Sequence, residues 1–262
     1  MKDRGSLSKA EAIVIIVIAV AAVAGAAYVI RQSPFHSSVP KTTAPESQAS
    51  SSTTTSSGPL TLSDIESLNS SWIISLGPPN SSKVIVVVYD PECPYCSLEL
   101  NATLPFLYYV SENTSQARVI FLGLPIHEYS VQMLEILYEV YHLYGPVAFV
   151  KLLDANYAYY TRNIELYLNH ETNQLIIPTN YTLIYMADAL GYNVTQQESE
   201  VWYPAVEEVA NFLLSHNISA TPALLAFNET GAPVYYEVGL EQPLYIEGNL
   251  TERLGLQVPG LG

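Results

Sequence analysis

The sequence predicts an α/β domain built on a βαβ unit and interrupted by an all-α insertion, preceded by an N-terminal membrane helix and a disordered linker. Three observations lead there. Residues 84–89 (Val-Ile-Val-Val-Val-Tyr) and 118–123 (Arg-Val-Ile-Phe-Leu-Gly) are short apolar runs on either side of a helical stretch, the pattern of two strands buried on both faces of a sheet. Helix-patterned sequence then runs from about 127 to 203, with apolar positions every three or four residues. Ahead of all this, residues 12–30 contain no charged side chain.

Those nineteen residues, at about 1.5 Å rise each, just span a hydrocarbon layer of ~30 Å. Lys2, Arg4 and Lys9 precede them and place residues 1–11 in the cytoplasm, with Arg31 and Lys41 on the far side reducing the bias. A signal-anchor is the favoured reading; Ala24-Gly25-Ala26 keeps a cleaved signal peptide, and so a secreted protein, open. Residues 31–59 are rich in Ser, Thr, Pro and Ala and offer little apolar surface to offset their ordering entropy, so a flexible stalk is expected. Residues 60–262 form the folded domain.

An extracytoplasmic location agrees with nine Asn-X-Ser/Thr sequons, at Asn69, Asn80, Asn101, Asn113, Asn180, Asn193, Asn217, Asn228 and Asn249, all beyond the apolar segment. A net charge of −15 disfavours nucleic acid, and none is expected as a partner, because phosphates need Lys and Arg. Only 13% of residues are Asp, Glu, Lys or Arg, against twenty tyrosines. Such a surface, hydroxyl-rich rather than ionic, suggests a microbial surface protein of archaeal type.

Both cysteines of the chain fall in Asp90-Pro91-Glu92-Cys93-Pro94-Tyr95-Cys96, directly after the first strand. Two sulfurs at this spacing close a small ring, couple to a partner thiol or form half of a tetrahedral metal site. A strand that turns into a helix here sets Cys93 at the helix N-terminus, where free N–H groups and the dipole favour a thiolate. Cys96, one turn on, points inward, so an exposed attacking sulfur and a shielded resolving one are expected. Pro94 suits the first helical position. Tyr95 reads equally as a surface aromatic or as a contact that tunes the site.

Cys93-Pro94-Tyr95-Cys96 after a buried strand resembles the active site of the thioredoxin superfamily. The Asp90-Pro91-Glu92 lead-in and the long helical insertion make it more similar to the DsbA-like thiol–disulfide oxidoreductases. The resemblance implies a thioredoxin-like fold in which Thr221-Pro222, ahead of the apolar run 223–227, carries a cis bond and packs against the two sulfurs. It also implies that a Leu-Pro-Ile-His step, here residues 124–127, marks the entrance to the insertion. From the residues alone, His127 reads as a surface or capping residue. Many members of the group carry an acidic residue six positions before the first cysteine. Here that position is Val87, which leaves the proton path of Cys96 to Glu92, Glu99, another group or water.

Elsewhere, Ser63 and Glu66 suggest a capping box for a short helix over 61–68, and Pro105 suggests a bend or break in a helix over 97–110. Residues 129–144 read as an amphipathic helix with a tyrosine stripe in the core, and 146–160 and 181–190 as further helices of the insertion. Residues 205–215 read as the helix returning to the sheet, and 223–227 with 234–238 as a hairpin. A closing helix within 240–262 is interrupted in pattern by Pro243 and Gly248.

No histidine lies at metal-site spacing from Cys93, and a bond across two residues adds little stability. Redox exchange is the use that remains, with no cofactor and no metal expected. Cys93 and Cys96 are the catalytic pair, with Pro94, Tyr95, Glu92, Thr221 and Pro222 supporting them. The partners are secreted or cell-surface proteins bearing thiols or disulfides, and a membrane redox partner. Two other readings stay open: a non-catalytic binding module on the same scaffold, and a copper(I) metallochaperone using the two sulfurs.

Overall fold

The computed structural model describes residues 60–259, residue 177 excepted. The membrane helix expected over 12–30 and the stalk over 31–59 lie outside the described residues. Among those described, no helix is long and apolar enough to cross a membrane.

Helix α1 (Leu62–Glu66) leads into strand β1 (Ile74–Leu76), then β2 (Val84–Tyr89), helix α2 (Pro94–Tyr108) and β3 (Arg118–Gly123). Helices α3 (Ser130–Tyr144), α4 (Pro146–Leu168), α5 (Asn180–Ala189) and α6 (Gln196–Ser199) make the insertion. Helix α7 (Tyr203–Ser215), strands β4 (Ala223–Phe227) and β5 (Pro233–Val238) and helix α8 (Pro243–Leu254) complete the domain. The sheet runs β1-β3-β2-β4-β5, with β2 and β3 parallel and every other pair antiparallel.

Strand β2 sits in the middle because all six of its side chains are apolar and buried, and only a central strand covered on both faces hides such a run. Its alternate residues feed two cores. Ile85, Val87 and Tyr89 pack with Phe121, Leu224 and the apolar sides of α2, α3, α4 and α8. Val84, Val86 and Val88 pack with Ile120, Leu225 and, from α1 and α7, Ile65, Val209 and Leu213. Edge-to-face contacts of Tyr89 with Phe121 (5.9 Å) and of Phe121 with Phe149 (5.0 Å) fasten α4 of the insertion to the sheet. The tyrosines of α3 divide: Tyr138 is buried and donates to the Trp72 carbonyl at 2.7 Å, whereas Tyr144 is exposed.

Several local expectations are corrected. The capping box of α1 is Thr61 with Asp64, not Ser63 with Glu66: the Thr61 hydroxyl accepts the Asp64 N–H, and the Thr61 N–H donates to Asp64 Oδ2 at 2.9 Å. The helix starts one residue after Thr61, so only this pair has the reciprocal spacing. Pro105 does not break its helix; α2 continues to Tyr108 and passes into a π-turn over Tyr109–Asn113. Pro105 is on the exposed side of α2, so its ring meets solvent rather than the packed core. Helix α4 runs eight residues past the expected end at 160. Pro243 opens α8 from its first position and Gly248 is carried within it, the helix stopping at Gly255 with φ +58°. The sequon at Asn180 is closed in the folded domain, since this residue is buried and donates its amide to Gln196 Oε1 at 3.1 Å.

Strand β1 was not anticipated, because three residues interrupted by Ser75 carry too little periodicity. Its turn depends on Gly77, at φ +81°. A Cβ there would lie 2.4 Å from the Ala117 carbonyl oxygen, and backbone cannot step aside as a side chain does. Gly77→Ala therefore combines a left-handed strain with a main-chain clash and is expected to cost about 3 kcal/mol or more, read as a lowered midpoint in urea unfolding.

Candidate active site

The β2–β4 register sets Val88 opposite Ala223, so the chain leaving β2 and the chain entering β4 meet at one end of the sheet. After β2 the turn Asp90-Pro91-Glu92 closes with the Cys93 N–H on the Asp90 carbonyl at 3.1 Å. Cys93 is the N-cap of α2, its Sγ accepting the Cys96 N–H at 3.4 Å, and Pro94 is the first helical residue. Across from it the Thr221–Pro222 bond is cis. The Thr221 carbonyl accepts the Cys93 thiol at 3.6 Å.

Both cysteines are free thiols. The Cys93 pKa is held down, to about 7, first by the hydrogen bond from the Cys96 thiol. Burial opposes this, the Thr221 hydroxyl and the Cys96 N–H assist it, and the charge of Asp90 opposes it. The Thr221 hydroxyl is buried without an aligned partner of its own, near the sulfur rather than in a well-formed bond to it. Cys96 is pushed well above the ordinary thiol value, first by burial and then by its bond to Cys93 and that neighbour's charge. One sulfur carries the charge and the other keeps the proton.

The expected difference in exposure is much smaller than the difference in acidity. Cys96 is fully enclosed and Cys93 is only 2% exposed, because the Thr221–Pro222 segment lies over its sulfur. The rim above is open: Pro94, Ser219 and Ala220 are exposed and Tyr95 is half-buried, packed against the core.

Glu92 sits in the turn, but none of its hydrogen bonds goes to a sulfur. Its Oε2 accepts the Tyr129 N–H at 2.5 Å and lies 2.9 Å from the Ser130 hydroxyl, whose single hydrogen has Asp90 as its nearer acceptor, and burial raises its pKa. Val87 is buried and apolar, as its identity requires. Glu99 lies one turn beyond Cys96 and accepts the Glu241 N–H at 2.9 Å. Burial raises its pKa to about 7; the Glu241 N–H works against this, and the charge of Cys93 adds to it.

Four residues that sequence reasoning did not place here complete the surroundings. The Asp90 carboxylate, fully buried, accepts the Glu92 N–H at 2.7 Å and the Ser130 hydroxyl at 2.7 Å on one oxygen. On the other it accepts the Ile126 N–H at 2.8 Å and His127 Nδ1 at 2.9 Å. Tyr157 donates to the Asp90 carbonyl at 3.1 Å, and Asn156 to the Pro91 carbonyl at 2.7 Å. His127, Ser130, Asn156 and Tyr157 thus tie the cysteine turn to the insertion. A signal was available: an aspartate directly after a strand buried on both faces needs several donors, and His127 ends the neighbouring parallel strand's exit loop.

Among the described residues, no group of three or more His, Cys, Asp or Glu side chains is arranged to hold a metal ion.

No protein-family model matches the chain, and no curated protein sequence does. Solved structures do. Proteus mirabilis ScsC in a transitional conformation aligns with a TM-score of 0.54 at 18% identity, over 74% of this chain and 78% of that one. The chain carries a DsbA-like thioredoxin fold. The thiol–disulfide exchange protein alpha-DsbA2 from Wolbachia pipientis aligns with a TM-score of 0.53 at 16% identity, over 72% and 89% of the two chains. A periplasmic thioredoxin-like protein from Salmonella enterica serovar Typhimurium gives 0.51 at 16%, over 72% and 94%. For a DsbA-like fold, the insertion between β3 and α7 is the helical element that a minimal thioredoxin lacks.

Proposed function

We propose that this chain is an extracytoplasmic thiol–disulfide oxidoreductase, an oxidase or isomerase of secreted proteins, held at a membrane by residues 12–30 and set off from it by residues 31–59. The reading rests on one observation: Cys93 caps the N-terminus of α2, Cys96 is enclosed one turn behind it, and the residue before the cis Pro222 lays its carbonyl on the Cys93 sulfur, an arrangement that lowers the Cys93 pKa and raises that of Cys96.

Cys93 as thiolate attacks a client disulfide, or as part of the disulfide receives a client thiolate, and Cys96 resolves the mixed disulfide. Pro94 stiffens the start of α2, the cis Thr221–Pro222 bond sets the Thr221 carbonyl on the Cys93 sulfur, Tyr95 packs at the rim, and Glu92 holds the turn rather than relaying protons. Ionisation also helps to open the site. A neutral Cys93 donates to the Thr221 carbonyl, whereas a thiolate cannot, so charging the sulfur frees that carbonyl for a client N–H. The covering seen over Cys93 is therefore weakest in the reactive form. Partners in this reading are secreted or cell-surface thiol proteins and a membrane redox protein that recycles the pair. The eight sequons other than Asn180 lie at exposed or half-buried asparagines, as a glycoprotein requires.

Two measurements on the purified full-length chain test the reading. Refolding of a scrambled disulfide substrate, or reduction of insulin, should proceed catalytically; absence of both defeats it. Thiolate absorbance at 240 nm should show one sulfur ionising with a midpoint near pH 7 and none for the second before alkaline pH. Two coincident ionisations near the ordinary thiol value would remove the asymmetry on which exchange depends.

A further inference from the structure

We infer that the His127–Asp90 pair is a redox-linked proton site: His127 takes up a proton when the Cys93–Cys96 disulfide is reduced and releases it when the disulfide forms. The inference rests on the oxidoreductase reading above and concerns what happens to the proton that reading leaves unassigned.

The proton count leaves one proton to be placed. A client dithiol that reduces the Cys93–Cys96 disulfide gives up two electrons and two protons and becomes a disulfide. Cys96 keeps one proton as a thiol. Cys93 remains a thiolate, so the second proton goes elsewhere: valine at position 87 offers no acid, Glu99 feels the Cys93 charge but is bonded to the Glu241 N–H, and His127 feels that charge from the Asp90 side.

Geometry places the acceptor beside the turn. His127 Nδ1 lies 2.9 Å from Asp90 Oδ2, and the Asp90 backbone carbonyl holds the Cys93 N–H at 3.1 Å. A carboxylate only accepts, so Nδ1 carries the donated hydrogen and the other ring nitrogen is the one that gains or loses the proton. The His127 side chain is 38% exposed while Asp90 is wholly enclosed, so the ring exchanges with solvent at one end and faces the site at the other. The remaining groups around the pair are Glu92, Cys93 and Cys96 from the turn and α2, Tyr89 from β2, Tyr157 and Tyr160 from α4, Glu128 beside it, and the Ser130 hydroxyl from α3. Burial keeps Tyr89, Tyr157 and Tyr160 protonated. The charges that change near His127 are therefore those of the cysteines and of Glu92, whose carboxyl is bonded to the insertion instead.

The sign follows from charge. His127 is raised above the ordinary imidazole value first by its hydrogen bond to Asp90, against the cost of burial, and further by the charges of Asp90, Cys93 and Glu92. Forming the disulfide removes the Cys93 charge and with it that contribution. By reciprocity, protonated His127 favours the Cys93 thiolate, and neutral His127 leaves Asp90 uncompensated next to it.

The test is a pair of pH titrations of the His127 imidazole by NMR on the full chain, one with the cysteines reduced by dithiothreitol and one with them oxidised by diamide, the resonance assigned by its loss in His127→Gln. A lower His127 midpoint in the oxidised protein is expected; equal midpoints overturn the linkage. A second readout separates charge from structure. His127→Gln should lower the Cys93 thiolate fraction at pH 6 by about threefold, and Asp90→Asn should raise it. Changes in the same direction in both variants would mean simple loosening of the turn and overturn the inference. If the titration shift is present while the chain fails to turn over any disulfide substrate, the oxidoreductase reading falls and the proton linkage stands.

Discussion

Cys96→Ser is expected to turn the protein into a trap: client proteins accumulate on it as mixed disulfides, and turnover of a disulfide substrate drops by about 10³-fold or more. The reason is the absence of a substitute. The chain has two cysteines, so once a client is bonded to Cys93 only Cys96 can attack that bond from within. Its burial and raised pKa keep it protonated until the mixed disulfide forms; forming that bond removes the Cys93 charge that disfavours a second thiolate. Serine retains a donor toward the Cys93 sulfur, so the low pKa of Cys93 and the capture step should survive. Cys96→Ala lacks the donor, and its Cys93 should ionise at distinctly higher pH, since the Cys96 thiol is the largest influence on that sulfur. Non-reducing electrophoresis with mass spectrometry reads capture, and absorbance at 240 nm reads ionisation. Capture by Cys93→Ser equal to that by Cys96→Ser would show that the two sulfurs do not have separate attacking and resolving roles.

The parts of this site that were legible in the sequence are those written in consecutive residues. A β-branched run followed by Cys-Pro-Tyr-Cys specifies strand, turn and helix start locally, and Pro222 before a second apolar run does the same for β4. The parts that were not legible depend on chain segments brought together by the sheet. Asp90 stands in the motif, but its donors come from residues 126–130 after β3, and nothing local to His127 distinguishes a partner of a buried carboxylate from a loop residue facing water. Helix position suggested an exposed Cys93 sulfur, yet that sulfur is covered by Thr221, 128 residues downstream. β1 was missed for the same reason at the level of the fold. Three residues gain their strand identity from pairing with β3, Ile74 opposite Phe121, rather than from their own pattern. Pro105 and Gly248 show the converse, where strong local signals for interruption gave way to helices whose opposite faces are buried.

Asp90→Ala should destabilise the domain by about 3–5 kcal/mol, because it strands donors that have been desolvated to meet the carboxylate. Two of them are backbone N–H groups, of Glu92 and Ile126, and two are the Ser130 hydroxyl and His127. Removing the buried charge recovers part of its desolvation cost, which is why the figure is below the sum of four charge-assisted bonds. Asp90→Asn, with one oxygen still able to accept, should fall between the two proteins, whereas His127→Gln should cost far less, since three donors remain and the ring is part-exposed. The pH dependence has a definite sign. His127 has its pKa raised by folding, so its contribution is fully present below its unfolded value of 6.5 and is lost as pH rises through the folded value. The advantage of wild type over Asp90→Ala, measured by urea unfolding, should therefore be largest below pH 6.5 and shrink above it, until only the backbone and Ser130 bonds separate them. An advantage that grew with pH across that window would mean that His127 is neutral in the folded protein. In that case the His127 bond to Asp90 would be an ordinary neutral one, and the pair could not serve as the redox-linked proton site inferred above.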